Sequence, residues 1–279
     1  MTDASRLRIP IRSDKLGLDV SVEAPVASVE TEFQRIDIVD TEVFGRVLLL
    51  DGHVQLSTMD ERAYHEALVQ IPLLNMPSPK AALVVGGGDG GVIRELCRHA
   101  SIEHIDIAEI DAGVVETCRT FMPELSNGAF DDPRVHLHIT DAFLFVKETA
   151  RKYDLIVVDS TDVYEDEEGG LSEQLFTDNF YRDCLAALAP GGVVVTQADN
   201  LVFCPYSLEH IAAMFGKVFP LVGSYQALVP SFGGFSGFCY GTHGQALATD
   251  FAALSPSHIS LAYLNAATYN LAFSPLAFS

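Results

Sequence analysis

Tryptophan is absent from the 279 residues, and cations are scarce: 17 Lys+Arg face 38 Asp+Glu, for a formal charge of −21. Binding to nucleic acid is driven by cations that neutralise phosphates, so this balance excludes nucleic acid as a partner and allows a cationic substrate. Cysteine is sparse and odd in number. Cys97, Cys118, Cys184, Cys204 and Cys239 form no CxxC pair and no Cys/His cluster at zinc spacing, so they read as buried free thiols and no metal is expected. No run approaches the roughly 18 uncharged apolar residues of a membrane span, and the opening "MTDASRLRIPIRSD" lacks the apolar stretch of a signal peptide. The expected location is therefore the cytoplasm, with no membrane partner. Internal repeats and low-complexity linkers are also missing.

What is present divides into two patterns. From residue 20 to about 60, "VSVEA", "EFQRIDIVDT" and "GRVLLLDGHVQLS" read as strands, with Phe44-Gly45 and Asp51-Gly52 as turn signals. This predicts a small antiparallel N-terminal β domain over residues 1–62. "DERAYHEALVQIPLLNM" follows with Ala63, Ala67, Leu68, Ile71 and Leu74 near helical spacing, and Pro72 is expected to end or kink that helix.

From Lys80 the pattern alternates: "AALVVGG", "GVIRELCRHA", "HIDIAEID", "AGVVETCRTFM", "VHLHITD", "AFLFVKETA", "YDLIVVDS", "TDNFYRDCLAALAP", "GGVVVTQAD" and "LEHIAAMFGKVF". Short apolar strands each followed by an amphipathic helix call for right-handed crossovers and a parallel sheet covered on both faces. "GSYQALVPSFGGFSGFCYGT" adds two strand-like runs around Gly233-Gly234, a hairpin expected to extend the sheet edge. The prediction is an α/β, doubly wound Rossmann-like domain over residues 63–279, with a C-terminal antiparallel hairpin.

Such a domain binds its ligand at the carboxyl ends of its strands. After the first of them stands "VVGGGDGG", in which Gly86-x-Gly88-x-x-Gly91 satisfies a dinucleotide fingerprint. After the second stands Glu109, about twenty residues on, where a carboxylate can bind both hydroxyls of a ribose. These two features mean an adenosine-type ligand without separating NAD from S-adenosylmethionine. The third strand ends at Asp141-Ala142, where an acceptor can take the amine of an adenine, and the fourth ends in "VVDSTD", with Asp159 and Asp162. With Asp89 that makes five carboxylates around one crevice. A pyrophosphate would be repelled by them, whereas a sulfonium or a polyamine would be attracted. Asp111 and Asp178 are set apart as helix N-caps. Glu165, Asp166, Glu167 and Glu168 form a charge run over the crevice, read either as solvated surface or as a flap that attracts an amine.

The motifs LDGxVQ, DExxYHE, GGGDGG and DSTD, in this order and spacing, resemble those of the spermidine synthases, or polyamine aminopropyltransferases. The resemblance runs from about Glu32 to a decayed C-terminal "LAYLNAATYNLAFSPLAF". It implies a class I methyltransferase-type sheet. It also implies transfer of the aminopropyl group of decarboxylated S-adenosylmethionine to putrescine or a longer polyamine, with release of methylthioadenosine. Polyamine N-methylation with intact S-adenosylmethionine is the alternative on the same scaffold.

By matching position, the resemblance assigns Gln34, Glu109, Asp141 and Ala142 to the adenosine and thioether, beside the loop glycines Gly86 and Gly88. Asp89 and Asp159 would hold the aminopropyl ammonium, with His65 and Gln55 lining that side. Asp159 would also be the acid/base residue, and Tyr64, Asp162 and Gln197 would bind the acceptor. The resemblance further implies a homodimer or homotetramer and no permanently bound cofactor.

Two departures bear on the acceptor. Val163-Tyr164 and several extra residues replace the family's DxPxGPA continuation, which loses a proline near the thioether; "EGG" and "LSEQLF" are similar to the longer loop of thermospermine-type synthases. The acceptor-side PTYxxG stands here as Pro230-Ser231-Phe232-Gly233-Gly234, with Phe232 in place of tyrosine.

Overall fold

The computed structural model describes residues 6–12, 15–160, 177–254 and 259–276. Asp162, Val163-Tyr164 and the acidic run Glu165 to Glu168 lie outside the described residues.

The N-terminal strands β1 (Arg6–Arg12), β2 (Leu16–Glu30), β3 (Arg35–Thr41), β4 (Gly45–Leu50) and β5 (His53–Ser57) pair in sequence order as one antiparallel sheet. Side chains alternate across a strand, and here both faces are covered. Ile36, Ile38, Leu48 and Leu50 pack on Val114, Cys118, Met122 and Leu125, while Val47 and Leu49 pack on Ile9, Val20 and Phe44. The turn between β4 and β5 puts Asp51 and Gly52 both at positive φ, 48° and 83°, which is the two-residue hairpin geometry that Asp-Gly favours. β1 is an addition to the sequence reading, which began its strands at residue 20; Pro10 sits where its register shifts, and a proline inside a run masks a strand.

Helix α1 (Glu61–Leu74) joins this sheet to the second one. Pro72 does not stop the helix, which runs two residues past it and closes on Asn75. Near a C-terminus the loss of one donor is tolerated.

The second sheet has the order β11-β12-β10-β9-β6-β7-β8, built from β6 (Ala81–Gly86), β7 (His104–Glu109), β8 (Val135–Ile139), β9 (Tyr153–Asp159), β10 (Leu188–Asn200), β11 (Leu221–Val229) and β12 (Gly234–Thr242). β6 to β10 are mutually parallel, and β12 runs antiparallel to both β10 and β11. The hairpin is therefore not simply appended: its second strand sits inboard and its first forms the edge. Leu83 and Val85 face one core, Ala82 and Val84 the other, and for that reason the strand reads as an unbroken apolar run. Helices α2 (Gly91–Cys97), α3 (Ala112–Phe121), α5 (Ala142–Glu148), α6 (Asp178–Ala187) and α7 (Pro205–Val218) cover the faces, with the short α4 (Pro123–Ser126) after α3 and α8 (Ala266–Ala272) near the C-terminus. Four of the five cysteines are buried and Cys97 is half-buried. Among the described residues no helix is long and apolar enough to cross a membrane.

Strand order reverses between β6 and its neighbours β7 and β9, so a crevice opens at their carboxyl ends. There Gly86 is the register partner of Asp159.

Candidate active site

The glycine loop is shaped by what lies against it. Gly86 has φ 77°, and a Cβ there would come 2.2 Å from the Asp159 carbonyl oxygen; at Gly88 a Cβ would come 2.9 Å from Glu109 Oε2. Only glycine lets the loop approach both strand ends at once. The Gly87 N–H donates to the Asp159 carbonyl at 3.0 Å, which ties the loop to β9.

Asp89 leaves this loop toward α1. His65, Asp89 and Asp159 each place one side-chain nitrogen or oxygen within 4.8 Å of the others. The Tyr64 hydroxyl donates to Asp159 Oδ1 at 2.6 Å, and the Tyr64 ring is braced by Phe232 in an edge contact and by the tilted ring of Phe238. Asp89 Oδ1 accepts from Gly91 N–H at 2.6 Å and lies 3.4 Å from His65 Nε2. The other ring nitrogen, Nδ1, lies 2.7 Å from Glu61 Oε2, one turn back on α1, and that oxygen also accepts from Arg94 Nη2 at 2.8 Å.

These contacts set the charges. Burial opposes protonation of His65, yet Asp89 and Glu61 overcome it and push the imidazole up to about 10. Glu61 is held at about 2: burial would raise it, and His65 and Arg94 more than reverse that. Asp89 likewise stays below the ordinary carboxylate range despite burial, through His65 and the Gly91 N–H. Asp159 goes the other way, to about 6, raised first by burial and then by the Asp89 charge, with His65 and Tyr64 pulling against them. The trio has the residue types of a divalent-metal site, and its imidazole holds its proton more tightly than usual because its two ring nitrogens face the carboxylates of Glu61 and Asp89. The arrangement sets a carboxylate held below its ordinary range beside one whose proton affinity is raised toward neutral pH.

Glu109 ends β7 on the other side of the loop. Its Oε2 accepts from Gly88 N–H at 3.1 Å and its Oε1 from Asp111 N–H at 2.8 Å, while burial pushes its carboxyl up to about 7. Asp111 caps α3 through Gly113 N–H, as its sequence position implied, and its second oxygen also accepts from Gln34 Nε2 at 3.0 Å and from Thr31 Oγ1 at 2.8 Å. Gln34 thereby reaches the same edge as Glu109 from the N-terminal sheet. Asp141 caps α5 through Phe143 N–H at 2.8 Å, with Ala142 buried behind it. Gln197, paired by register with Phe238 on β12, donates to the Ser160 carbonyl at 3.3 Å. Gln55 donates to the His53 carbonyl at 3.2 Å and is not hydrogen-bonded to Asp89 or Asp159. Asp178 is not an N-cap: Thr177 caps α6, and Asp178 stands in its first turn facing Arg182 and Lys217.

Sequence reasoning missed four contributors. Glu61 and Arg94 back His65. Asp60, placed at the N-cap of α1, caps nothing; its carboxylate accepts from Ser57 Oγ, Ser231 N–H at 2.7 Å and Ser231 Oγ at 2.9 Å. Together with Asn200 Nδ2, which donates to the Phe232 carbonyl at 2.8 Å, it seats the turn that carries Phe232 against Tyr64. The Glu61/His65 spacing was a legible signal, since residues four apart share a helix face; Arg94, Asp60 and Asn200 act through tertiary contacts that leave no local pattern.

Comparison with known proteins shows the family and the fold. A family model described as Spermine/spermidine synthase domain matches residues 61–247, and one described as Spermidine synthase tetramerisation domain matches residues 9–58. A polyamine aminopropyltransferase of Alkaliphilus metalliredigens (strain QYMF) is 39% identical over 217 residues, covering 77% of this chain and 74% of its own. That of Bacillus subtilis (strain 168) is 38% identical over 221 residues, covering 79% and 78%. A crystal structure of a spermidine synthase in complex with the transition state analogue AdoDATO superposes with a TM-score of 0.90 at 28% identity, covering 98% of this chain and 93% of the other.

Proposed function

Because the chain belongs to the spermine/spermidine synthase family and is an aminopropyltransferase, we propose that it moves the aminopropyl group of decarboxylated S-adenosylmethionine to putrescine or a longer polyamine, releasing methylthioadenosine. The observation that carries this reading is the pairing of Asp89 and Asp159 at the end of the glycine loop, one held as an anion and one poised near neutrality.

The residues fit the donor. Glu109, its two oxygens already oriented by backbone N–H groups, is placed to take the ribose hydroxyls where Gly88 leaves room for them. Gln34 and Asp141-Ala142 flank the adenosine, with Gly86 bringing the loop onto β9. Asp89 takes the aminopropyl ammonium, with His65 behind it; Gln55 lines the same side. Tyr64, Gln197 and Asp162 hold the acceptor.

An acceptor amine is protonated at neutral pH and has no lone pair for attack. Asp159 removes that proton, the freed pair bonds to the carbon next to sulfur, and the C–S electrons return to sulfur, which leaves as a neutral thioether. Holding both reactants in line supplies much of the remaining acceleration. Asp159 starts this step as a carboxylate in a site that raises its proton affinity, which is what a base acting near neutral pH requires.

Methyl transfer from intact S-adenosylmethionine is the disfavoured reading. Its α-carboxylate would be brought against Asp89 and Asp159, two half-buried acids that share a single nearby imidazole. We assign chemistry to residues 63–279 and assembly to the β domain of residues 1–62, as a homotetramer or homodimer, which the match to a tetramerisation domain supports. Titration calorimetry with the two donors tests the assignment: decarboxylated S-adenosylmethionine binds and the intact form does not. Binding of the intact form alone overturns it.

A further inference from the structure

Asp89 and Asp159 are chemically identical side chains in one crevice, yet only one can be the base, and the protein must decide which of them carries the exchangeable proton. The contacts that decide it converge on His65. His65 is 1% exposed and points its two ring nitrogens at two different carboxylates: Nδ1 to Glu61 Oε2 at 2.7 Å and Nε2 to Asp89 Oδ1 at 3.4 Å. Glu61 cannot swing away. Its Oε2 accepts from Arg94 Nη2 at 2.8 Å and its Oε1 from Arg94 Nη1 at 3.2 Å, a two-pronged grip, while Arg62 Nε stands 3.0 Å from Oε1. Arg94 is itself buried and fixed by Glu95 Oε1 and the Leu125 carbonyl.

The result is a line of alternating charge from the core to the reaction centre: Arg94, Glu61, His65, Asp89. All of its charged groups come from two elements and one loop: Glu61 and His65 from α1, Arg94 from α2, and Asp89 from the β6–α2 loop. Among the described residues Asp159 on β9 is the other carboxylate within reach of the ring, and Tyr64, whose ring meets His65 edge-on at 5.3 Å, is occupied by Asp159.

We propose that Glu61 is a positioning residue that acts through His65: gripped by Arg94, it keeps His65 doubly protonated and aimed at Asp89, so that Asp89 is the fixed anion and Asp159 the carboxylate that exchanges the proton. The division of labour in the proposed mechanism, Asp89 for the donor ammonium and Asp159 for the acceptor proton, then follows from which acid the imidazolium faces. Without the Glu61 charge the imidazole carries its second proton less readily, and the two acids become closer equivalents competing for one proton.

The kinetic arm of the test rests on the proposed aminopropyl transfer; the spectroscopic arm does not. In unliganded protein labelled with 15N-histidine, both His65 nitrogens give imidazolium shifts at pH 8, and the ring titrates at clearly lower pH in Glu61→Gln. A neutral His65 at pH 8 in the wild-type protein overturns the proposal, whatever the variants do. In the kinetic arm, methylthioadenosine release is followed from pH 5 to 9 for Glu61→Gln, His65→Gln and the double variant.

Glutamine at 65 keeps a donor and removes the charge. His65→Gln moves the acidic limb of kcat/KM upward by about 1 unit, because Asp159 loses a nearby cation. Glu61→Gln lowers kcat/KM about ten-fold in the wild-type background and has almost no further effect once residue 65 is glutamine. The same loss in both backgrounds marks Glu61 as merely structural and overturns the proposal. Absence of methylthioadenosine from the wild-type protein overturns the functional reading and leaves the His65 spectrum to decide this one.

Discussion

The Tyr64 hydroxyl donates a 2.6 Å hydrogen bond to Asp159 Oδ1, joining α1 to the end of β9. Phe232 and Phe238 brace the Tyr64 ring at centroid distances of 5.7 and 5.6 Å, so the donor is rigid, and it occupies one carboxylate oxygen of the base. The other, Oδ2, faces the Gly87 backbone, 3.5 Å from where a Cβ on that glycine would stand. A base held by one oxygen keeps a defined direction for the proton it accepts.

Replacing Asp159 by asparagine keeps the shape and removes the base. Turnover is expected to fall by about 10²–10⁴-fold, while affinity for the decarboxylated donor, measured by calorimetry, stays within a few-fold. Near-normal methylthioadenosine release from Asp159→Asn would remove Asp159 from its role.

The same variant reports on stability. The Asp159 carboxyl rises from an ordinary 3.8 to about 6 on folding, so the folded protein binds its proton more tightly than the unfolded chain does. That contribution is present in full below about pH 3.8 and is lost as pH rises through 6. Asparagine resembles the protonated acid at every pH. Unliganded Asp159→Asn should therefore melt a few degrees above the wild-type protein at pH 7.5, with the difference closing toward pH 4; thermal scans at both values check this, and equal melting at both contradicts it.

Much of the site is legible because parallel strands end together. Once β6, β7, β8 and β9 are recognised as parallel strands, Asp89, Glu109, Asp141 and Asp159 are expected at one edge of the sheet. The same logic misled at Asp178, where an acid at a helix start reads as a cap although Thr177, one residue earlier, does the capping. It was silent on Asp60, whose N-cap position hides a tertiary contact with Ser231. The inboard position of β12 was not legible either, since a hairpin motif carries no information about which of its strands meets β10. Pairing across a sheet is decided by contacts far apart in sequence.

Gly88→Ala tests the ribose end of the crevice. A Cβ 2.9 Å from Glu109 Oε2 displaces that carboxylate from Gly88 N–H, so donor KM should rise about ten-fold or more, with a smaller change in acceptor KM. A uniform loss of kcat with both KM values unchanged contradicts the placement of Glu109 on the donor.

Asp60→Ala should loosen the turn that presents Phe232. It leaves the buried Ser231 N–H without its acceptor, at a cost of about 1–3 kcal/mol, and lets the Pro230–Phe232 turn shift away from Tyr64. Chemical denaturation measures the first effect. Steady-state kinetics measures the second, expected as a larger rise in KM for the amine than for the donor; the reverse order would place this turn elsewhere in the mechanism.

The most direct measurement is mass spectrometry of the products formed when the protein is given each donor, decarboxylated or intact, with putrescine, cadaverine, spermidine and agmatine in turn. The expected result is methylthioadenosine together with an amine extended by one aminopropyl group, from the decarboxylated donor only. A methylated amine from the intact donor, or no methylthioadenosine with any amine, contradicts the account.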